Sequence, residues 1–152
     1  MKTIMLILMV CSLAACSEPV DPRTQFVLAD AQQRWNTAGQ QWPEKDLRVL
    51  EYGMSQYRSF CAACHLSSGE GQATMGAPAL IENSFARGPV NDVTLKILLG
   101  KRGSSMPAFA RSLDDEQVAA ILSYVRNAWG EQSGELVSGE EVAAVRAQGK
   151  TS

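Results

Sequence analysis

Cys61-Ala62-Ala63-Cys64-His65 places two thiols three positions apart and an imidazole directly after them. On a helical turn the thiols face the same way. They can form thioethers with the two vinyl groups along one edge of a porphyrin, and His65 then stands where its ring can reach the iron. This C-x-x-C-H spacing is the attachment pattern of c-type haem. The same cysteine pair could instead be a redox disulfide or half of a zinc site. A thioredoxin-like pair wants a βαβ setting, and no stretch alternates convincingly with period two. A zinc site needs another nitrogen or sulfur ligand, yet His65 is the sole histidine and the other cysteines, Cys11 and Cys16, lie near the N-terminus. The implied cofactor is one covalent haem c, with Cys61 and Cys64 as anchors and His65 as metal ligand.

A haem that only passes electrons needs a second axial ligand, and one histidine excludes a bis-histidine pair. Methionine is the natural partner. Met54 lies before Cys61, on the same side of the haem as His65. Met75 follows His65 by only ten residues. Met106 sits in Gly103-Ser104-Ser105-Met106-Pro107, where Pro107 biases it towards extended backbone. Met106 is the favoured ligand and Met75 the alternative. The second nitrogen of His65 calls for an acceptor, and a backbone carbonyl within Gly76-Ala77-Pro78-Ala79-Leu80 is the candidate.

Three helices must position these groups. Leu47, Leu50, Met54, Tyr57 and Cys61 recur at spacings of 3, 4, 3 and 4, a helical face leading into the haem motif. Pro43 suits its start, and Gly53 inside it suggests a close approach by another backbone or ring. A second helix is predicted over 92–99, capped by Asn91 or Asp92 and stopped by Gly100. A third begins at Asp114, with Gln117 completing a capping box. Val118, Ile121, Leu122, Val125 and Trp129 form its buried face, and Gly130 ends it. A late helix over 139–147, with Ser138 and Glu141 as its capping box, reads as a peripheral addition. The class is all-α.

The N-terminus reads as an export leader. Lys2 precedes an apolar run from Ile4 to Ala15, too short at roughly twelve residues to span a bilayer comfortably. Leu13-Ala14-Ala15-Cys16 resembles a bacterial lipobox, which implies cleavage before Cys16 and lipidation (palmitate included) of that residue. Every cysteine then has a separate fate: Cys11 leaves with the leader, Cys16 carries lipid, and Cys61 and Cys64 carry haem. The expected organisation is 1–15 signal peptide, 16–43 lipidated cysteine and tether or N-terminal extension, 44–130 haem domain, and 131–152 C-terminal extension. Residues 17–24 are the clearest tether. Phe26, Val27, Leu28, Trp35 and Trp42 argue that the later part packs down.

Net charge is −2, which suggests no nucleic-acid partner. Residues 87–111 hold Arg87, Lys96, Lys101, Arg102 and Arg111 against Asp92. Lys101 and Arg102 are candidates for haem propionates or for docking an acidic partner, with a plain solvated surface as the third reading. Gly69-Glu70-Gly71 is only a fragment of a dinucleotide fingerprint, with no strand before it.

Across residues 44–130 the chain resembles class I c-type cytochromes. The haem motif, Gly76-Ala77-Pro78-Ala79-Leu80, Gly103-Ser104-Ser105-Met106-Pro107 and Tyr124-Val125-Arg126-Asn127-Ala128-Trp129-Gly130 stand in family order. The resemblance implies a small cytochrome c fold with three main helices around one haem. It also implies a Pro78 carbonyl on His65, Met106 on iron, and Gly53 and Tyr57 packed against Tyr124. Residues 112–130 and 142–146 look most like cytochrome domains of quinoprotein dehydrogenases and cbb-type oxidases. Those proteins often carry several haem motifs, whereas this chain has one.

The function so implied is not enzymatic. It is one-electron transport by a lipid-anchored carrier facing the periplasm of a bacterial cell envelope, between a dehydrogenase or quinol-oxidising complex and a terminal oxidase. Its partners would be redox proteins and a membrane, with no small-molecule substrate. The alternatives are a haem subunit of a dehydrogenase complex, a haem enzyme or gas sensor with an open sixth position, and an assembly lipoprotein whose haem only stabilises the fold.

Overall fold

Helix-favouring patterns and hard stops divide the chain into short rods. The computed structural model describes residues 27–130 and 132–149. Its helices are α1 (Leu28–Trp35), α2 (Glu44–Phe60), α3 (Ala62–His65), α4 (Val90–Leu99), α5 (Asp115–Asn127) and α6 (Gly139–Gly149), with a 3₁₀ turn at Ala73–Met75. No strand forms among the described residues, so the fold is all-α. The leader, Cys11, Cys16, Phe26 and the 17–24 tether lie outside the described residues. None of the described helices is long and apolar enough to cross a membrane.

The centre is the crossing of α2 and α5. Leu47, Leu50 and Tyr57 from α2 meet Val118, Ile121 and Leu122 from α5, all essentially without solvent exposure. Each such side chain contributes about 1.5–3 kcal/mol through burial. Gly53 lies at the closest point. A Cβ built there would stand 2.0 Å from the Ala120 carbonyl oxygen and 3.0 Å from Tyr124 Cβ, so only glycine lets the two backbones meet. One turn further on, the Tyr57 and Tyr124 rings pack with centroids 5.1 Å apart.

The start of α5 is set locally. Gln117 N–H donates to Asp114 Oδ1 at 2.8 Å, and Asp114 N–H donates to Gln117 Oε1 at 3.0 Å, a complete capping box. Its end departs from the sequence expectation. The helix stops at Asn127, Ala128 is extended, and Trp129 takes a left-handed φ of 59° ahead of Gly130. Tertiary contacts offset that backbone cost. The Trp129 indole donates to the Ser67 carbonyl at 3.0 Å, and its ring stands edge-on to Tyr57 and Tyr124 at 5.5 Å. Trp129 is thus a clamp on the haem-motif loop, outside the helical face assigned to it. Helix α4 also starts earlier than expected, after Pro89 rather than at Asn91 or Asp92. Gly100, with φ 69°, ends it.

Both extensions belong to the packed body. The 16–43 region contains α1, whose Ala31 and Trp35 are buried, as is Trp42. Trp35 donates from its indole to Glu51 at 2.8 Å, and Arg34 pairs with the same carboxylate. Val27, expected to pack down, is 44% exposed.

Helix α6 is not peripheral, contrary to expectation. Val142 and Val145 are buried against α4 and α5, and Ser138 and Glu141 cap the helix reciprocally. Those Ser138 hydrogen bonds hold the Glu141 carboxyl below its usual pKa. A carboxyl depressed in the folded state stabilises above its unfolded pKa, and that contribution is lost as pH falls through the folded value. Arg146 ties α6 down: Nε donates to Asp115 Oδ1 at 2.6 Å, and the guanidinium NH groups reach the Ala110 and Leu113 carbonyls at 2.6 and 2.9 Å. Arg146→Ala is expected to cost roughly 2 kcal/mol in denaturant unfolding, against about 0.5 kcal/mol or less for a surface arginine. A shift as small as the latter would mean that α6 is dispensable.

Candidate haem-binding site

Two lips define a cleft beside α5. The first begins where α2 ends. Cys61 caps α2, and α3 is one turn closed by Cys64 N–H and His65 N–H on the Cys61 carbonyl at 3.1 and 2.9 Å. That turn puts both thiols and the imidazole on the cleft wall. Leu66 then turns the chain with φ 62°, and Tyr57 Oη donates to its carbonyl at 2.7 Å. Burial raises the Tyr57 pKa, with Cys61 and Tyr124 adding to the rise, so the phenol remains a donor. Burial also pushes the Cys61 thiol up to about 12, helped by Cys64.

The chain next returns to face His65. Gln72 and Ala77 exchange backbone hydrogen bonds at 2.9 and 3.1 Å, closing a loop over the 3₁₀ turn. Pro78 emerges with its carbonyl 2.9 Å from His65 Nδ1. A carbonyl only accepts, so Nδ1 carries a proton, which in the neutral ring leaves the Nε2 lone pair free. Gly71 makes room for this. Its φ is +74°, and a Cβ would stand 2.5 Å from the Pro78 oxygen. The Gly69-Glu70-Gly71 run, inert as a dinucleotide fragment, therefore has a packing role that its spacing did not reveal.

The second lip follows α4. Lys101 N–H donates to the Met106 carbonyl at 3.2 Å, and Met106 N–H reaches Ser104 Oγ at 3.3 Å. Phe109 and Ala110 N–H then bond back to Ile97 and Leu98 at 3.1 Å, sewing the loop to the end of α4.

Between the lips lies a cavity of about 410 Å³. Its walls include Tyr57, Leu80, Ile97, Ile121, Leu122 and Val125, and Phe60 and Phe85 stand at its partly exposed margin. Cys61, Cys64, His65, Pro78 and Met106 all line it. Met54 does not; it is buried in the core with α2. Met75 is 43% exposed and also lies off the lining. Lys101 reaches the cleft, whereas Arg102 is exposed and does not line it. Lys96 and Asn83, which the sequence reading had not singled out for this wall, contribute polar groups to it. Lys96 stood in the basic run of residues 87–111, one position before Ile97, but only the fold of α4 beside the cleft brings it to this wall. No cluster of three or more His, Cys, Asp or Glu side chains among the described residues is placed to hold a bare metal ion. A second hollow, about 440 Å³, lies between α2, α5 and the start of α6 and has no thiol, imidazole or thioether on its wall.

The cleft fits a porphyrin chemically: two thiols and an imidazole with a free lone pair on one lip, a thioether on the other, and an apolar interior between them. An all-helical fold built on such a cleft defines a class I c-type cytochrome. Residues 48–125 match the family described as cytochrome C oxidase, cbb3-type, subunit III, and the chain belongs to that family. It is 31% identical over 104 residues to the gluconate 2-dehydrogenase cytochrome c subunit of Pantoea cypripedii, covering 62% of this chain and 24% of that protein. It is 35% identical over 111 residues to the fructose dehydrogenase cytochrome subunit of Gluconobacter japonicus (64% and 22%). It is 29% identical over 89 residues to the cbb3-type cytochrome c oxidase subunit CcoP of Azospirillum brasilense (56% and 30%). The matches thus span less than a third of each of these relatives.

Proposed function

We propose that this protein is a lipid-anchored, single-haem electron carrier of the bacterial periplasm, attached through Cys61 and Cys64 and ligated by His65 and Met106. The observation carrying this reading is the apolar cleft whose two lips present His65 and Met106. When bound, the haem supplies reversible one-electron chemistry at iron, and a histidine–methionine pair favours a raised reduction potential. The chain's own residues bind, orient and shield it. Pro78 fixes the His65 tautomer, Tyr57, Ile121 and Leu122 exclude water, and Lys101 offers positive charge at the rim.

The anchor rests on the lipobox-like run ending at Cys16, after removal of residues 1–15. Residues 17–24 would be the tether; were all of 17–43, roughly 27 residues, fully flexible, the reach would be about 30 Å. Since residues 28–43 are folded onto α2, the working reach is shorter. Electrons would pass between a dehydrogenase or quinol-oxidising complex and a terminal oxidase. The names of the relatives also favour a second reading, in which the chain is a resident cytochrome subunit of such a complex.

The test is purification from membranes with the full leader intact. Expected are a mass consistent with diacylglyceryl-cysteine at Cys16, one covalent haem per chain, a one-electron Nernst wave, and reduction by membranes given a dehydrogenase substrate. Water-soluble, unlipidated protein would remove the anchor. Slow, irreversible reduction together with immediate carbon monoxide binding would favour an open-iron enzyme or sensor instead.

A further inference from the structure

The loop that carries Met106 and the loop that aligns His65 are joined directly across the mouth of the cleft. Ser105 Oγ donates to the Met75 carbonyl at 2.6 Å, thirty residues back along the chain. Met75 closes the 3₁₀ turn inside the Gln72–Ala77 loop, and that loop delivers the Pro78 carbonyl to His65. On its own side, Ser105 is flanked by a loop bonded to itself and to α4: Ser104 Oγ bonds the Lys101 carbonyl at 2.8 Å, and Met106 N–H bonds Ser104 Oγ. Those bonds shape the Met106 loop, but they do not hold it against the opposite lip.

We infer that Ser105 is a positioning residue that clasps the two ligand-bearing lips and so holds Met106 over the iron. The inference rests on Met106 being the sixth ligand. Its physical content is a closing equilibrium. With the clasp formed, the Met106 loop sits against the 72–78 loop. Without it, that loop is held from the α4 side and, just beyond it, by Arg146, neither of which reaches the 72–78 loop, and the thioether swings away more often. The Ser105 side chain is exposed at the rim rather than buried in the core. Its removal therefore leaves the α2–α5 packing untouched and opens no core cavity. The bond formed is to a backbone carbonyl, so the identity of the Met75 side chain is immaterial to the clasp. Any hydroxyl at position 105 with the same reach restores it, which makes threonine a fitting rescue.

The test compares holo wild type with Ser105→Ala, Ser105→Thr and Met106→Ala, using carbon monoxide as the probe of the ferrous protein at neutral pH. Haem content and thermal midpoint are recorded alongside. Ser105→Ala should keep its covalent haem and nearly the wild-type midpoint. Its carbon monoxide association should rise about threefold to tenfold, the range that loss of one net hydrogen bond permits. Ser105→Thr should return to the wild-type rate, and Met106→Ala should be the fastest. If Ser105→Ala matches wild type while Met106→Ala binds rapidly, the clasp is wrong and the ligand assignment stands. If Met106→Ala binds no faster than wild type, the ligand assignment fails and the clasp falls with it. Should Ser105→Ala accelerate binding but Ser105→Thr fail to slow it, the hydroxyl is not the agent and the inference is overturned.

Discussion

Met106→Ala is expected to keep its haem and lose its potential. Cys61 and Cys64 stay in place, so the proposed covalent bonds would form as before, and His65 retains its Pro78 partner at 2.9 Å. What changes is the thioether on the opposite lip. Methionine favours the ferrous state relative to harder ligands, so, with Met106 as the proposed ligand, its removal would lower the potential. Axial ligation spans roughly 0.8 V across haem proteins, and a fall on the order of a tenth of a volt or more is expected here. An optical redox titration measures it, and a haem-stained denaturing gel confirms attachment. A variant that keeps the wild-type potential would sink the assignment of Met106. Met75 would be the next candidate, although its 43% exposure and its absence from the cleft wall argue against it.

Gly53→Val should be the most damaging substitution away from the haem motif. The new Cβ meets Ala120 backbone, not the movable end of a side chain, so the helices themselves must part. Separation would open the Tyr57–Tyr124 contact and the apolar wall that α5 gives the cleft. Overpacking typically costs 1–3 kcal/mol. With β-branched bulk against a carbonyl at this crossing, about 3 kcal/mol or more is expected, from a total stability of order 5–15 kcal/mol. Gly53→Ala is the informative companion. Alanine gains about 1 kcal/mol of helix propensity, yet it should still be less stable than wild type in a denaturant titration. An alanine variant as stable as the parent would show that the close approach carries no cost. For the valine variant the expected readout is a marked drop in haem-bearing protein recovered from cells.

What the sequence made legible was local. Asp114 and Gln117 cap α5 because the partners are three residues apart and need nothing from the rest of the chain. The 3,4-spaced face of α2 and the run Cys61–His65 follow the same logic. The larger departures involve distant partners. Trp129 fits a helical face by spacing, but Tyr57, Tyr124 and Ser67 draw it out of α5. Trp35 and Trp42 pack down as expected, but the helix carrying Trp35 was not foreseen: α1 is short and has no side-chain cap, and its packing depends on Trp35 finding Glu51 on α2 and its carbonyl finding Gln132. For α6 the visible apolar residues were only valines and alanines. Their burial depends on Arg146 reaching Asp115 and two carbonyls in the loop before α5. Within the cleft, Met106 could be favoured by elimination, whereas Lys96 joins the wall only because α4 folds beside it.

The Arg146 contacts also impose an order in time. The chain is synthesised from its N-terminus, so the thiols and imidazole at 61–65 emerge well before position 146 does. Until then the carbonyls of Ala110 and Leu113, just beyond the Met106 loop, have no guanidinium to hold them. The segment after the Met106 loop is fastened at that stage through its Phe109 and Ala110 bonds to α4 alone. The arrival of α6 adds a second fastening to that segment, after the attachment run has been made.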